Sequence, residues 1–217
     1  MPTIRWHGHA CFELIDSKGR SIVIDPHDGR SIGIKPPNIK ADAVLITHEH
    51  FDHNAYNVVL KKDGLVYSMK VGKFNVFEHD VLGIKAFHDK AKGRRRGEVV
   101  MYRIGIEGIN ILHVGDLGHL LADEELNALK PVDVAMLPVG GTFTIDANEA
   151  HQLSRALDVR VVIPMHYWVE GINLPLAPLS DFLKLIVDRE VINLGSNSWT
   201  VSKDSLPSRA VVVFKLK

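Results

Sequence analysis

Apolar residues along this chain recur in short runs rather than in long amphipathic stripes. Runs at residues 10–15, 21–25, 43–47, 81–87, 99–104, 110–114, 132–137, 159–164 and 209–216 are rich in valine, isoleucine and leucine, and Gly, Pro, Asp or Asn bounds each of them. Such runs predict strands, because β-branched side chains suit a pleated, half-buried surface and the bounding residues suit turns. Helical spacing is scarcer and predicts helices over 55–62, 123–129, 147–157 and 179–189. The third has clear start signals: Asp146 can accept from the first free backbone amides, and Glu149 can reach back to the cap. Strands outnumber helices, yet helices follow strands through much of the chain, which predicts mixed sheets covered by helices. Segments 29–38, 90–97 and 169–178, rich in Gly, Pro or charge, predict loops.

Composition narrows this picture. With 217 residues, 46% hydrophobic and 24% charged, the chain can bury a substantial core, and one domain spanning 1–217 is expected. The 26 basic and 26 acidic residues cancel, so no global field favours nucleic acid or an anionic membrane. Cys11 stands alone, which excludes an internal disulfide framework and a thiolate zinc cluster within one chain. Any metal must be held by histidine and carboxylate. The opening residues lack a charged-then-apolar leader, and no apolar run approaches the roughly 18 residues of a membrane span. A cytoplasmic location is therefore expected; the sequence leaves a homo-oligomer open.

The densest chemistry lies in Leu45-Ile46-Thr47-His48-Glu49-His50-Phe51-Asp52-His53, where an apolar strand runs into a cluster of histidines and an aspartate. In extended chain, residues two apart face the same way, so His48 and His50 can share one ion while Asp52 and His53 turn towards a second. Imidazole and carboxylate suit zinc, manganese or iron, and a site with open positions can supply hydroxide at neutral pH.

This H-x-H-x-D-H run resembles the signature of the metallo-β-lactamase superfamily, and the resemblance extends over nearly the whole chain. Ile22-Val23-Ile24-Asp25-Pro26 resembles its first motif, whose aspartate supports the histidine loop from behind. Ala86-Phe87-His88 resembles the third, Val114-Gly115-Asp116 the fourth, with an aspartate that bridges two metals, and Pro164-Met165-His166-Tyr167 the fifth. The resemblance implies an αββα four-layer sandwich of two mixed sheets with outer helices. It also implies two divalent ions, zinc first with manganese or iron as alternatives, held by His48, His50, Asp52, His53, His88, Asp116 and His166, with Asp52 and Asp116 as catalytic residues. His113 reads either as a residue supporting the ligands from behind or as a core residue.

Trp6-His7-Gly8-His9-Ala10 and Leu137-Pro138-Val139-Gly140-Gly141 look like a subgroup of small metal-dependent hydrolases, related to ascorbate-phosphate lactonase and more distantly to the N-acyl phosphatidylethanolamine phospholipase. His9 then either sits near the metals or packs beside a strand. His27 is a candidate substrate contact, and Tyr167 either touches substrate or packs at the strand end. Antibiotic hydrolysis is disfavoured, because the common β-lactamases of this superfamily carry a cysteine where Asp116 stands. The RNA-processing relatives need an inserted domain or a tRNA-binding arm for which the chain has little room. The basic loop at 90–97, with Arg94 and Arg95, is either a phosphate clamp or a solvated surface.

The expectation is a dinuclear metal-dependent hydrolase whose bridging hydroxide attacks an ester-like bond (lactone, phosphodiester or amide) of a small anionic molecule. The alternatives are a nuclease-type phosphodiesterase acting on RNA or DNA, and a metal-binding protein without turnover.

Overall fold

The computed structural model describes residues 1–216. A first sheet has six strands in the order β13-β1-β2-β3-β4-β5, formed by Thr3–Trp6 (β1), Phe12–Ile15 (β2), Ser21–Ile24 (β3), Ala41–Ile46 (β4), Leu60–Ser68 (β5) and Ser198–Thr200 (β13). A second has eight in the order β12-β14-β11-β10-β9-β8-β7-β6: Gly72–Val76 (β6), His79–Phe87 (β7), Glu98–Ile106 (β8), Ile109–His113 (β9), Val134–Pro138 (β10), Val161–Met165 (β11), Glu190–Asn193 (β12) and Ala210–Val213 (β14). Both sheets are mixed: antiparallel hairpins lead into parallel strands at β3, β4 and β5 and from β9 through β10, β11 and β14. The helices are Tyr56–Val59 (α1), Asp123–Leu129 (α2), Ala147–Ala156 (α3) and Leu179–Leu183 (α4).

Side-chain alternation explains the layering. In β3 and β4, Ile22, Ile24, Ala43 and Leu45 point into the core shared with the second sheet, where they meet residues such as Val99, Met101, Ile111 and Met136. Their neighbours Val23, Val44 and Ile46 point outwards and pack with Cys11, Ala41 and Val59 beneath α1. β10 and β11 are buried throughout, as parallel strands covered on both faces must be; α3 packs on β10 and against α4. α3 is capped as its sequence predicts, with the Glu149 amide donating to Asp146 and the Asp146 amide donating to Glu149.

Several expected elements differ. The helix expected over 55–62 is one turn, α1, after which the chain extends as β5, so the outer layer on the first sheet is slight. The helix expected over 179–189 stops at Leu183; its N-cap is Pro178, which offers no side-chain acceptor. β1, β5, β6, β12 and β13 were not predicted. Among the described residues, no helix is long and apolar enough to cross a membrane.

What the fold positions is one edge. The 48–53 segment follows β4, Asp25 follows β3, His88 follows β7, Asp116 lies just beyond β9, and His166 follows β11. The carboxyl ends of strands from both sheets thus converge, the place where α/β sheets present their sites.

Candidate metal centre

The residues at this edge form two facing groups. His48, His50 and His88 make one; His9, Asp52, His53 and His166 make the other, with potential ligand atoms in each within 4.8 Å of one another. Asp116 lies between them. Its Oδ2 is 3.3 Å from His88 Nε2, 3.2 Å from His166 Nε2 and 3.8 Å from His48 Nε2, while its Oδ1 is 3.3 Å from His53 Nε2. These contacts lack the alignment of hydrogen bonds: His48 Nε2, His53 Nε2, His166 Nε2 and Asp116 Oδ1 are buried polar atoms without a partner. Orphaned donors and acceptors are costly in an interior. A cluster of imidazole nitrogens and carboxylate oxygens facing one another is what divalent cations satisfy, and the donor set fits zinc, manganese or iron chemistry.

Asp25 organises the cluster from behind. Its Oδ1 accepts from the Thr47 amide at 2.8 Å, and its Oδ2 accepts from the Thr47 hydroxyl at 2.6 Å and from His53 Nδ1 at 2.9 Å. The Thr47 hydroxyl, donating its hydrogen bond to Asp25, accepts from His48 Nδ1 at 2.9 Å. One carboxylate therefore orients the rings of His48 and His53 and leaves both Nε2 atoms aimed at the centre. His9 Nε2 donates to Asp52 Oδ2 at 3.0 Å, and the His9 ring lies 4.1 Å from that of His166.

Electrostatics follow from this burial. Burial holds the His48 and His9 imidazoles down to about 3, aided at His48 by His53 and at His9 by His166. Burial also lowers His53, but Asp116, Asp52 and Asp25 around it outweigh burial and hold it well above its ordinary value. Burial raises Asp116, yet His166 and His53 pull it well below the usual carboxylate range. Both Asp52 and Asp116 are anionic at neutral pH.

Strain marks the same edge. His9, Asp25 and His166 adopt left-handed backbone conformations, φ 53°, 49° and 51°. Non-glycine residues hold that region only when the surroundings over-determine them. At His166 the packing is close: a Cβ on Gly140 would lie 2.1 Å from its carbonyl oxygen.

Comparison with known proteins agrees with the geometry. A family model described as the β-lactamase superfamily domain matches residues 3–166. The chain belongs to the metallo-β-lactamase superfamily. Among superfamily members, a UPF0173 metal-dependent hydrolase of Thermococcus onnurineus is 33% identical, aligning 89% of this chain with 96% of its own. One from Thermoplasma acidophilum is 31% identical over 76% of this chain and 82% of its own. A crystal structure from Thermotoga maritima, of a candidate Zn-dependent hydrolase of the superfamily, superposes with a TM-score of 0.81 at 33% identity and covers both chains completely. This chain is accordingly a metal-dependent hydrolase of the metallo-β-lactamase superfamily.

The superfamily fold brings all of His48, His50, Asp52, His53, His88, Asp116 and His166 together, with Asp25 beneath them. His9 is at the centre rather than merely beside a strand. His113 is a core residue: its Nε2 bonds the Ala10 carbonyl at 2.8 Å, and the Gly115 amide donates to its Nδ1 at 3.1 Å. His27 is buried with Nε2 on the His7 carbonyl at 3.0 Å. Tyr167 is buried and stacked on Trp6, with ring centroids 5.5 Å apart. Neither lines the cleft of about 660 Å³ that opens beside His88. That cleft is walled by Asp89, Lys90, Arg95 and Arg96 on one side and by Thr142, Phe143 and Thr144 on the other. Arg95 lines the cleft and Arg94 does not; Arg96 and Phe143, which also line it, were not singled out from the sequence. The charge run alone could not say which arginine turns inwards.

Proposed function

We propose that this chain is a dinuclear hydrolase that cleaves an ester-like bond, in a lactone, phosphodiester or amide, of a small anionic molecule. The observation that carries this reading is the division of the potential ligands into two groups with Asp116 between them. In it, His48, His50 and His88 would hold one ion, Asp52, His53 and His166 would hold the other, and Asp116 would serve both. Zinc fits this donor set first, with manganese or iron as alternatives. Such ions would supply a water acidified towards neutral pH and polarise the oxygen under attack.

The remaining chemistry belongs to the chain. Asp52 and Asp116 offset two of the four positive charges that a pair of divalent ions brings, so the site stays positive and draws an anion. Asp52 is the less enclosed carboxylate, its side chain 12% exposed against 3% for Asp116. Its Oδ2, held by His9 Nε2, is placed to take a proton during attack and return it to the leaving group. Asp25 and Thr47 keep His48 and His53 oriented throughout the cycle. A cleft of this size suits a small molecule, and the balanced charge of the chain gives nucleic acid no field to follow.

The test is elemental analysis of the purified protein alongside turnover of generic phosphodiester, lactone and amide substrates, repeated with Asp116→Ala and His166→Ala. We expect about two ions per chain, falling to one or none in the variants, with turnover of one substrate class lost in step. A native protein that binds no metal under varied supply would overturn the reading.

A further inference from the structure

We propose that Arg95 and Arg96 form an oxyanion-binding subsite in the cleft beside His88, which holds a phosphate or carboxylate of the substrate at a distance from the bond that is cleaved. The proposal rests on the hydrolase reading for the word substrate, but not for the binding itself.

The cleft wall contains few polar groups free to meet a ligand. The Thr142 hydroxyl is committed to the Pro175 carbonyl at 2.7 Å, and the Thr144 hydroxyl to the Ile145 carbonyl at 2.9 Å. Lys90 Nζ is committed to Glu149 at 2.6 Å. Asp89 is buried, and its carboxylate accepts four backbone amides: Ala91 at 2.7 Å, Gly93 at 3.0 Å, Arg95 at 3.0 Å and Arg96 at 2.8 Å. Of the wall's side chains outside the metal centre, Arg95 and Arg96 remain. Among the described residues, no carboxylate lies within ion-pair distance of either guanidinium, although both line the cleft.

The loop that presents them is built rather than loose. The Asp89 carboxylate gathers the amides of the loop around itself, the Gly97 amide donates to the Gly93 carbonyl at 2.9 Å, and the His88 amide donates to Gly97 at 3.0 Å. Gly93 is required at φ 78°, because a Cβ there would lie 2.9 Å from the Gly97 carbonyl oxygen. The Lys90 to Glu149 pair ties the loop to α3, and the Arg96 guanidinium rests over the Phe143 ring at 4.7 Å across the cleft. Ordering costs are therefore met before a ligand arrives. Planar guanidinium forks match the paired oxygens of phosphate and carboxylate alike. Because His88 lines the same cleft, a molecule held by its oxyanion at Arg95 and Arg96 shares that cleft with the metal centre.

The test is calorimetric titration of the metal-loaded protein with inorganic phosphate and, separately, with acetate, comparing the native chain with Arg95→Gln, Arg96→Gln, Arg96→Lys and the exposed Lys92→Gln. Elemental analysis confirms equal metal content. We expect each Arg→Gln change to weaken the preferred oxyanion by about tenfold, Arg96→Lys to restore only part of that loss, and Lys92→Gln to change little. The tighter-binding probe names the source of the oxyanion. Affinities that are unchanged in both arginine variants, or that fall equally in Lys92→Gln, would overturn the subsite. A protein without turnover whose phosphate or acetate affinity still depends on Arg96 would sink the hydrolase reading and leave the subsite standing.

Discussion

Asp25 shows how much of this site is decided by a residue that touches no substrate. Its two oxygens accept three hydrogen bonds, from the Thr47 amide, the Thr47 hydroxyl and His53 Nδ1, and through Thr47 it also directs His48. Asp25→Asn tests this cleanly, because asparagine tolerates the left-handed backbone that position 25 requires and so changes charge and acceptor capacity without adding backbone strain. We expect metal affinity to fall by about 10- to 100-fold, the usual effect of losing a carboxylate behind a ligating imidazole. Thr47→Val should move it the same way by less. Competition with a chromogenic chelator measures both, and unchanged affinity in Asp25→Asn would show that the histidines orient themselves. The proposed ligands were legible in the sequence because they cluster at 48–53 and then recur at strand ends. Thr47, Arg96 and Phe143 were not, because a hydroxyl between Ile46 and His48 and one arginine among three carry no periodic signal. Their roles exist only in three dimensions.

Elements were legible where one face or both are buried. β3, buried along its whole length, and β10 and β11, apolar along theirs, were predicted within a residue or two, as was the capped helix α3. β5 was not, because its residues are exposed or half-exposed along almost the whole strand, and Leu60-Lys61-Lys62-Asp63 at its start shows no alternation. It extends because β4 offers it a parallel edge from Ala41 to Ile46, which the sequence does not announce. β13 has only three residues, and in β1 Thr3 and Arg5 break up any apolar run. The hairpin from β2 to β3 shows an element held by charge at its turn. Burial raises the Asp16 carboxyl, but the Arg20 amide and guanidinium and the His79 ring more than offset that and hold it down to about 2. A carboxylate lowered on folding stabilises above its unfolded value and loses that contribution as pH falls towards its folded value. We expect Asp16→Asn to cost about 1.5–3 kcal/mol at neutral pH. We also expect the gap to the native chain to narrow between about pH 4 and pH 2. Urea midpoints for both proteins across that range check this, and a gap independent of pH would assign the loss to packing instead.

At the scale of the whole molecule, the candidate metal centre is also a junction between the sheets. His9, His48, His50, Asp52 and His53 are carried by the first sheet, and His88, Asp116 and His166 by the second. Ions bound by this set would tie the two sheets together at one edge, and without them the buried nitrogens and oxygens around Asp116 have no partners. Anything that binds the folded state alone stabilises it by mass action, by about 4 kcal/mol when free ligand is a thousandfold above its dissociation constant. For a chain of this length, each kcal/mol moves the midpoint by roughly 2–4 °C. Stripping the metal should therefore lower the unfolding temperature by on the order of 10 °C, and resupply should restore it. The pattern across variants locates the effect: Asp116→Ala should abolish most of the metal-dependent shift, whereas Arg96→Gln, which lies in the cleft but outside the ligand groups, should retain it in full. A midpoint that stays put after complete removal, verified by elemental analysis, would mean that the shared core alone holds the sheets together and that the ions serve chemistry only.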